Sequence, residues 1–478
     1  MNHIGLAPQF YGPRRAMDRA HTKARPTDYY ARLLVMLLTG LAIGGKGIAY
    51  LGFPPIYITE IVLALGLLAW LGTGCLLGSV ATTPGLILLG MMLLAAGRTI
   101  PYLSTYGVNA LRDSVLVFYG LFALLVTGLL LESPGRLLDC LRYLRWFTGI
   151  YVFAGPAVFL LQSLFGVPQL PVWSARVPDL LRPDEMGVHL SACAVLALLG
   201  FRRVRLPWLI ALLFGAALVG SQSRGGLLAF LLPVAFALPF SRYRRQVAAI
   251  ALAALVVLGI GYAANVGLPK RHSTAVNNER ALTVREAVDN VISMVASGQS
   301  EQNNTKDWRE EWWSKIIGYT IHGPYFWTGK GFGINLAKSD GFVAGSNEVA
   351  PLRAPHSGHL DILAREGVPG LALWVLFLFS WLGTILRAAG RASRNGHPEW
   401  RNLLVFTACY WLASLIDASF DVALEGPMIG VWFWCQTGFG IAIASIYYAG
   451  LRDLRRVLIR RVLRRQDWPN LSSRAGIG

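Results

Sequence analysis

Apolar residues run through this chain in long blocks. They do not alternate as in half-buried strands, and they are too continuous for the one-sided stripe of a soluble helix. Blocks of about 17 to 25 apolar residues are long enough to cross a bilayer as helices. Twelve stretches are drawn, several of them short or broken by Gly or Pro, at 33–50, 56–74, 84–97, 115–131, 146–166, 185–200, 206–220, 225–240, 246–264, 367–386, 402–418 and 427–450. A polar island, 265–366, separates the ninth from the tenth. The expected architecture is all-α: a polytopic membrane protein of about twelve transmembrane helices with a large helical loop between spans nine and ten. A membrane β-barrel is excluded because its strands alternate in hydrophobicity. On this reading 1–32 is a tail, 33–264 holds spans one to nine, 265–366 is the loop domain, 367–450 holds spans ten to twelve, and 451–478 is a basic tail.

The island has its own periodicity. Asn278 to Ser297 reads as an amphipathic helix with Ala281, Leu282, Val288, Val291, Ile292 and Val295 on one face. Asp307 to Thr320 reads as a second, with Trp308, Trp312, Ile316 and Thr320 spaced i, i+4. Gly323 to Gly333 is a glycine and aromatic turn. A short helix beginning near His356 is expected to end at Gly367, with Pro369 opening the next span.

Charge refines the picture. The 478 residues are 54% hydrophobic and only 15% charged, against about 25% in a soluble domain. The net charge of +18 suggests nucleic acid at first, but its distribution excludes it. Most of the Lys and Arg lie in the two tails and in alternate loops, including Arg136, Arg142, Arg145, Arg202, Arg203, Arg205, Arg242, Arg244, Arg245, Arg387, Arg391, Arg394 and Arg401. The other short loops hold only Arg98, Arg112, Arg176, Arg182 and Arg224. This asymmetry is the positive-inside rule, which places both termini in the cytoplasm and the island outside. The N-terminal region reads as a polar basic tail rather than a cleavable signal. The five cysteines form no CxxC pair and none lies in the island, so neither a disulfide framework nor a thiolate metal site is indicated.

An arginine on the outer side does nothing for orientation, which draws attention to Arg224 in Gly220-Ser-Gln-Ser-Arg-Gly-Gly226. It is either a snorkelling anchor for a helix end or a ligand contact that the flanking glycines allow to be approached closely. Arg309 is either part of a surface ion-pair network with Glu310 and Glu311 or one of a set with Arg224 and Arg353. Guanidinium groups grip phosphate oxygens in bidentate fashion, as a lipid-linked diphosphate would need. His356 could be a general base, an acid or a phosphate contact. His359 reads as a helix-face hydrogen-bond partner. A zinc site on these two histidines lacks HExxH or any other closed ligand set. Neither a P-loop nor a GxSxG nucleophile motif is present. Glu60 is either functional or a packing hydrogen bond, with Lys46 as its expected partner. Asp417 and Asp421 flank the last outer loop, where they could orient a histidine or an arginine.

Three local patterns in this order give the chain a family likeness: the Ser223-Arg224-Gly225 turn; the Trp308-Arg309 helix followed by Gly329-Lys-Gly-Phe-Gly333; and His356 followed by Leu360, Leu363, Glu366-Gly367 and Gly370-Leu371. From about Leu206 to Ile446 the chain resembles the O-antigen ligase / O-antigen polymerase superfamily of bacterial membrane proteins. The resemblance implies a GT-C-like, metal-independent glycosyltransferase without cofactor, in the bacterial inner membrane with its active site on the periplasmic face. It implies a glycan donor on undecaprenyl diphosphate, a glycan or lipid A-core acceptor, and membrane lipids as surroundings. Arg224 and Arg309 would hold the diphosphate, joined by Arg353, and His356 would be catalytic, with His359 and Glu60 as possible support. The family often has Asn after the histidine; here it is Ser357. The rival reading is a lipid-linked glycan flippase or permease.

Overall fold

The computed structural model describes residues 25–173, 176–264, 267–268, 282–283, 301–342 and 352–465. The principal helices are α1 (Pro26–Gly44), α2 (Ile58–Leu71), α3 (Thr83–Thr99), α4 (Val108–Phe118), α5 (Leu121–Glu132), α6 (Arg136–Phe165) and α7 (Pro183–Leu198). They continue with α8 (Leu206–Gln222), α9 (Arg224–Ala237), α10 (Arg244–Ala263), α11 (Glu301–Thr320), α12 (Gly358–Arg394), α13 (Pro398–Phe420) and α14 (Pro427–Arg465). The only strands among the described residues are two short antiparallel pairs, Gly52–Phe53 with Ile56–Tyr57 and Gly267–Leu268 with Leu282–Thr283.

Every apolar stretch drawn from the sequence falls mainly on helix, and the protein is a helical membrane protein. Its span count is smaller by the criterion of length and composition. Among the described residues, five helical runs are long and apolar enough to cross a membrane: Thr83–Tyr106, Arg136–Phe165, Gly358–Arg394, Pro398–Phe420 and Pro427–Leu451. A sixth appears if α4 and α5, bent by 43° at their junction, count as one. Ile58–Leu71, Leu206–Gln222 and Arg224–Phe240 are apolar but only 10–17 residues long. At 1.5 Å per residue, helices of that size fall short of a hydrocarbon layer of about 30 Å. Of the amphipathic helix expected at 278–297, only Leu282 and Thr283 are described, and both are extended; the rest lies outside the described residues, as do the tail residues 1–24 and 466–478.

Two close approaches set the bundle. A Cβ on Gly438 of α14 would sit 2.2 Å from the Ala123 carbonyl oxygen of α5, and Thr127 Oγ1 reaches the Gly438 carbonyl at 3.1 Å. A Cβ on Gly187 of α7 would sit 2.5 Å from the Gly226 oxygen of α9, and one on Gly226 would sit 2.8 Å from the Asp184 Cα. Only glycine permits such backbone contact. It holds the head of α7, with Arg182 and Asp184, against the head of α9, with Arg224. Elsewhere the core is aromatic: Trp381 of α12 stacks on Trp411 of α13 at 4.3 Å, and both indoles donate to Thr437 of α14.

The second island helix forms as expected. Trp312, Ile316 and Thr320 are fully buried on one face of α11, where Trp312 and Ile316 pack with Leu363 and Ala364 of α12. α12 breaks at Gly367, whose φ of 71° is left-handed, where the sequence reading ends the short helix. The break leaves the last carbonyls of the first segment without intrahelical donors. The Lys330 amide donates to the Ala364 oxygen at 2.7 Å and the Gly331 amide to the Arg365 oxygen at 2.9 Å. The glycine and aromatic turn therefore works as a cap that wraps the break.

Candidate functional site

His356 stands just before α12, between Pro355 and Ser357, the residue at the N-terminal boundary of the helix. Its φ of 52° is the only positive value at a non-glycine among the described residues. Left-handed backbone costs an L-residue about 1–2 kcal/mol, so the surroundings must hold it. Trp313 does so from α11, donating Nε1 to the Pro355 oxygen at 2.8 Å. The Leu336 amide holds the Arg353 oxygen at 3.1 Å. Trp308 lies edge-on to the imidazole, with ring centroids 6.2 Å apart.

The imidazole is itself fixed. His356 Nδ1 lies 3.0 Å from Asp421 Oδ1, and the other Asp421 oxygen pairs with Arg182 Nη2. Arg182 Nη2 also reaches Asp184 Oδ2 at 3.0 Å. Asp421 is buried and His356 a quarter exposed at its side chain. Burial alone would raise the Asp421 carboxyl; Arg182 and the His356 hydrogen bond more than offset it and hold the group well below its ordinary range. An ionised Asp421 selects the tautomer with the proton on Nδ1 and leaves Nε2 as the ring nitrogen able to take a proton.

Arg309 extends into the same cluster from α11. Its Nε is buried with no hydrogen-bond partner among the described residues. Its proton affinity is lowered, first by burial and further by repulsion from Arg182 and Arg224, with Asp421 and Asp184 acting against it. Arg309 is thus acted on by two further guanidinium groups, Arg182 and Arg224, and by Asp421 and Asp184. The fold brings His356, Arg224 and Arg309 together and adds Arg182, Asp184 and Asp421. Sequence reasoning offers Asp421 but passes over Arg182. The logic that singles out Arg224, an arginine on the arginine-poor side at a helix head, applies equally to Arg182 in Arg182-Pro-Asp-Glu185.

The other predicted site residues are held differently. Arg353 donates to both oxygens of Asp113 at 3.3 and 2.9 Å and to the Gly333 oxygen at 3.0 Å. Asp113 also accepts from Arg365 at 3.0 Å and from the Gly333 amide at 3.1 Å, and Arg365 reaches Asp361 at 2.9 Å. His359 accepts from Trp374 Nε1 at Nδ1 (2.8 Å), so its Nε2 carries the proton and donates to Ser419 Oγ at 2.9 Å. Both ring nitrogens are engaged, and neither converges on His356. No group of three or more His, Cys, Asp or Glu among the described residues is arranged to hold a metal ion. Glu60 does not pair with Lys46. It accepts from the Tyr57 amide at 3.1 Å and from the Tyr119 hydroxyl at 2.7 Å, while Lys46 pairs with Asp179. A short hairpin turns the chain between Lys46 and Glu60, so nearness in sequence does not become nearness in space.

Residues 209–375 match the family model described as O-antigen ligase, and over this stretch the chain is similar to the O-antigen ligase superfamily. The matched segment runs from α8 into α12 and contains Arg224, Arg309, Arg353, His356 and His359. Glu60, Asp113, Arg182 and Asp421 lie outside it. No curated protein matches the chain.

Proposed function

We propose that the protein transfers a glycan from an undecaprenyl-diphosphate-linked donor to an acceptor hydroxyl, on the periplasmic face of the bacterial inner membrane. The acceptor is either a second glycan, as in a polymerase, or a lipid A core, as in a ligase. The observation that carries this reading is the Arg182–Asp421–His356 relay beside Arg224 and Arg309, in a chain whose central segment matches an O-antigen ligase model.

The chemistry follows from the groups. The acceptor oxygen attacks the anomeric carbon while the bond from that carbon to the diphosphate oxygen breaks. His356 Nε2 takes the acceptor proton. The imidazolium so formed is stabilised by Asp421, whose own charge Arg182 holds in place. The diphosphate departs with the bonding electron pair, and negative charge grows on its oxygens. Arg224 and Arg309 stabilise that charge where it develops, which is worth more than holding the ground state equally well. Arg353, already bidentate on Asp113, sets the loop that carries His356, three residues on. His359, held by Ser419 and Trp374, fixes the head of α12, and Glu60 holds Tyr119, away from the reacting groups. The donor is already activated, so this chain's own residues can carry the transfer without a cofactor. The family match gives the flippase alternative no support.

The test uses the purified full-length protein, a lipid-linked glycan, and candidate acceptors in the presence of a chelator. Glycan-acceptor product should form, and Arg224→Ala or Arg309→Ala should each slow it by about 10²–10³-fold with the thermal transition retained. Product formation unaffected by both substitutions would remove the diphosphate assignment; movement of the donor across vesicle membranes without transfer would favour the flippase.

A further inference from the structure

The end of the bundle opposite His356 carries a second concentration of positive charge. The 16 residues of α7 lead away from Arg182 and span about 24 Å. Beyond them the loop to α8 meets α6 in a groove of about 590 Å³. Arg145, Arg202, Arg203 and Arg205 line it together with Trp146 and Trp208, and no carboxylate does.

Orientation of a membrane protein needs only charge on one side, not charge gathered into a groove. The arginines nearby show the difference. Arg136 pairs with Asp28 and Glu132, and Arg142 with Asp139. None of the four groove arginines forms an ion pair among the described residues. Arg202 is built in: it lies 5.2 Å over the Trp208 ring and donates Nη1 to the Arg145 carbonyl at 2.6 Å. A Cβ on Gly149 would come within 2.8 Å of that same nitrogen. Its Nε is buried and has no hydrogen-bond partner among the described residues. Burial, with repulsion from Arg145, lowers its proton affinity. An anion in the groove would relieve both costs.

The flanks of the groove say which anion. Trp146, Ile150 and Phe153 of α6 and Leu206, Ile210 and Phe214 of α8 are all exposed large apolar side chains. On each helix they are spaced three or four apart, so each set forms one ridge. We propose that the groove holds the phosphate of an anionic phospholipid of the leaflet opposite the His356 site, with its acyl chains laid along these ridges and Trp146 and Trp208 at the headgroup level. This site is independent of the transfer chemistry.

The experiment is native mass spectrometry of the full-length protein in neutral detergent, titrated with phosphatidylglycerol, phosphatidylcholine or inorganic phosphate. Phosphatidylglycerol should bind at least tenfold more tightly than phosphatidylcholine. Arg203→Gln and Arg205→Gln change exposed side chains, so the fold should survive, and each should weaken phosphatidylglycerol about fivefold. Arg391→Gln with Arg394→Gln removes twice the charge of either single substitution, outside the groove, and should leave binding unchanged. Equal binding of the two lipids, or equal weakening by the control pair, would overturn the proposal. Inorganic phosphate binding as tightly as phosphatidylglycerol would also overturn it, assigning the groove to a free anion.

Discussion

Two clusters of arginine and carboxylate meet near the start of α12, and they are built to different ends. Around Asp113, Arg353 and Arg365 converge on one carboxylate, Arg365 is wholly buried, and the Gly333 amide completes the set. Around Asp421, Arg182 and His356 are each a quarter exposed, His356 has left-handed backbone, and Arg309 keeps a buried Nε without a partner among the described residues. The first cluster is nearly closed: Arg353 and Arg365 both donate to Asp113, and only Arg365 Nη2 and Asp361 Oδ2 are left buried with no partner among the described residues. The second is open: it holds cations and a tautomer in place but does not use up their hydrogen-bonding capacity. Charge and burial alone do not distinguish a site from a scaffold. What distinguishes them is that the charged groups of the first cluster face one another, whereas Arg182 and His356 of the second stay partly open to a ligand.

That contrast can be broken experimentally. Asp113→Asn leaves Arg353 and Arg365 buried without their shared charge and should cost about 3–5 kcal/mol of stability. A lowered thermal transition with transfer per folded molecule changed less than tenfold would place Asp113 in the scaffold; loss of transfer at unchanged stability would move it into the site. Asp421→Asn should do the opposite, lowering turnover by about 10²-fold with a smaller change in stability, because the imidazolium loses its counter-charge. Turnover and substrate affinity measured separately would show it, and a change in affinity alone would count against it.

The smallest effect is a pH shift. The Asp421 carboxyl sits well below its ordinary value of 3.8 because Arg182 and His356 outweigh burial. A carboxyl depressed on folding contributes fully at pH above its ordinary value, and that contribution is lost only as pH falls through the lower folded value. Arg182→Gln removes the largest opposing charge, so burial raises the carboxyl and the acid-side loss of stability should begin about 1–3 pH units higher than in the wild type. Arg182→Lys should restore part of the shift, and an acid transition unmoved in both variants would show that Arg182 does not hold the Asp421 charge.

How much of this was legible in the sequence depended on the kind of contact. Apolar runs announce helices through composition, and the Trp312–Ile316–Thr320 stripe announces its buried face through period, so both could be read locally. The Gly367 break was visible because glycine followed by Val368-Pro369 leaves few alternatives. The relay was not visible, because it joins positions 182, 356 and 421, and no local pattern states which loops meet. That meeting is decided by the glycine contact of α7 with α9 and by the docking of α11 on α12. Twelve spans are not reached by length and composition among the described residues for a related reason: a hydropathy run marks an apolar helix, whereas crossing a bilayer also requires length. Arg353 shows the limit of reading charge alone. It shares residue type and neighbourhood with Arg309, but only the fold shows that Asp113 already occupies it.

The most direct test of the central claim replaces His356 with asparagine. Asparagine tolerates left-handed backbone and keeps a polar side chain near Asp421, but it has no ring nitrogen to take a proton. The account predicts that His356→Asn keeps the wild-type thermal transition and loses glycan transfer by about 10³-fold, within the range of a removed general base. Transfer within tenfold of wild type would contradict it.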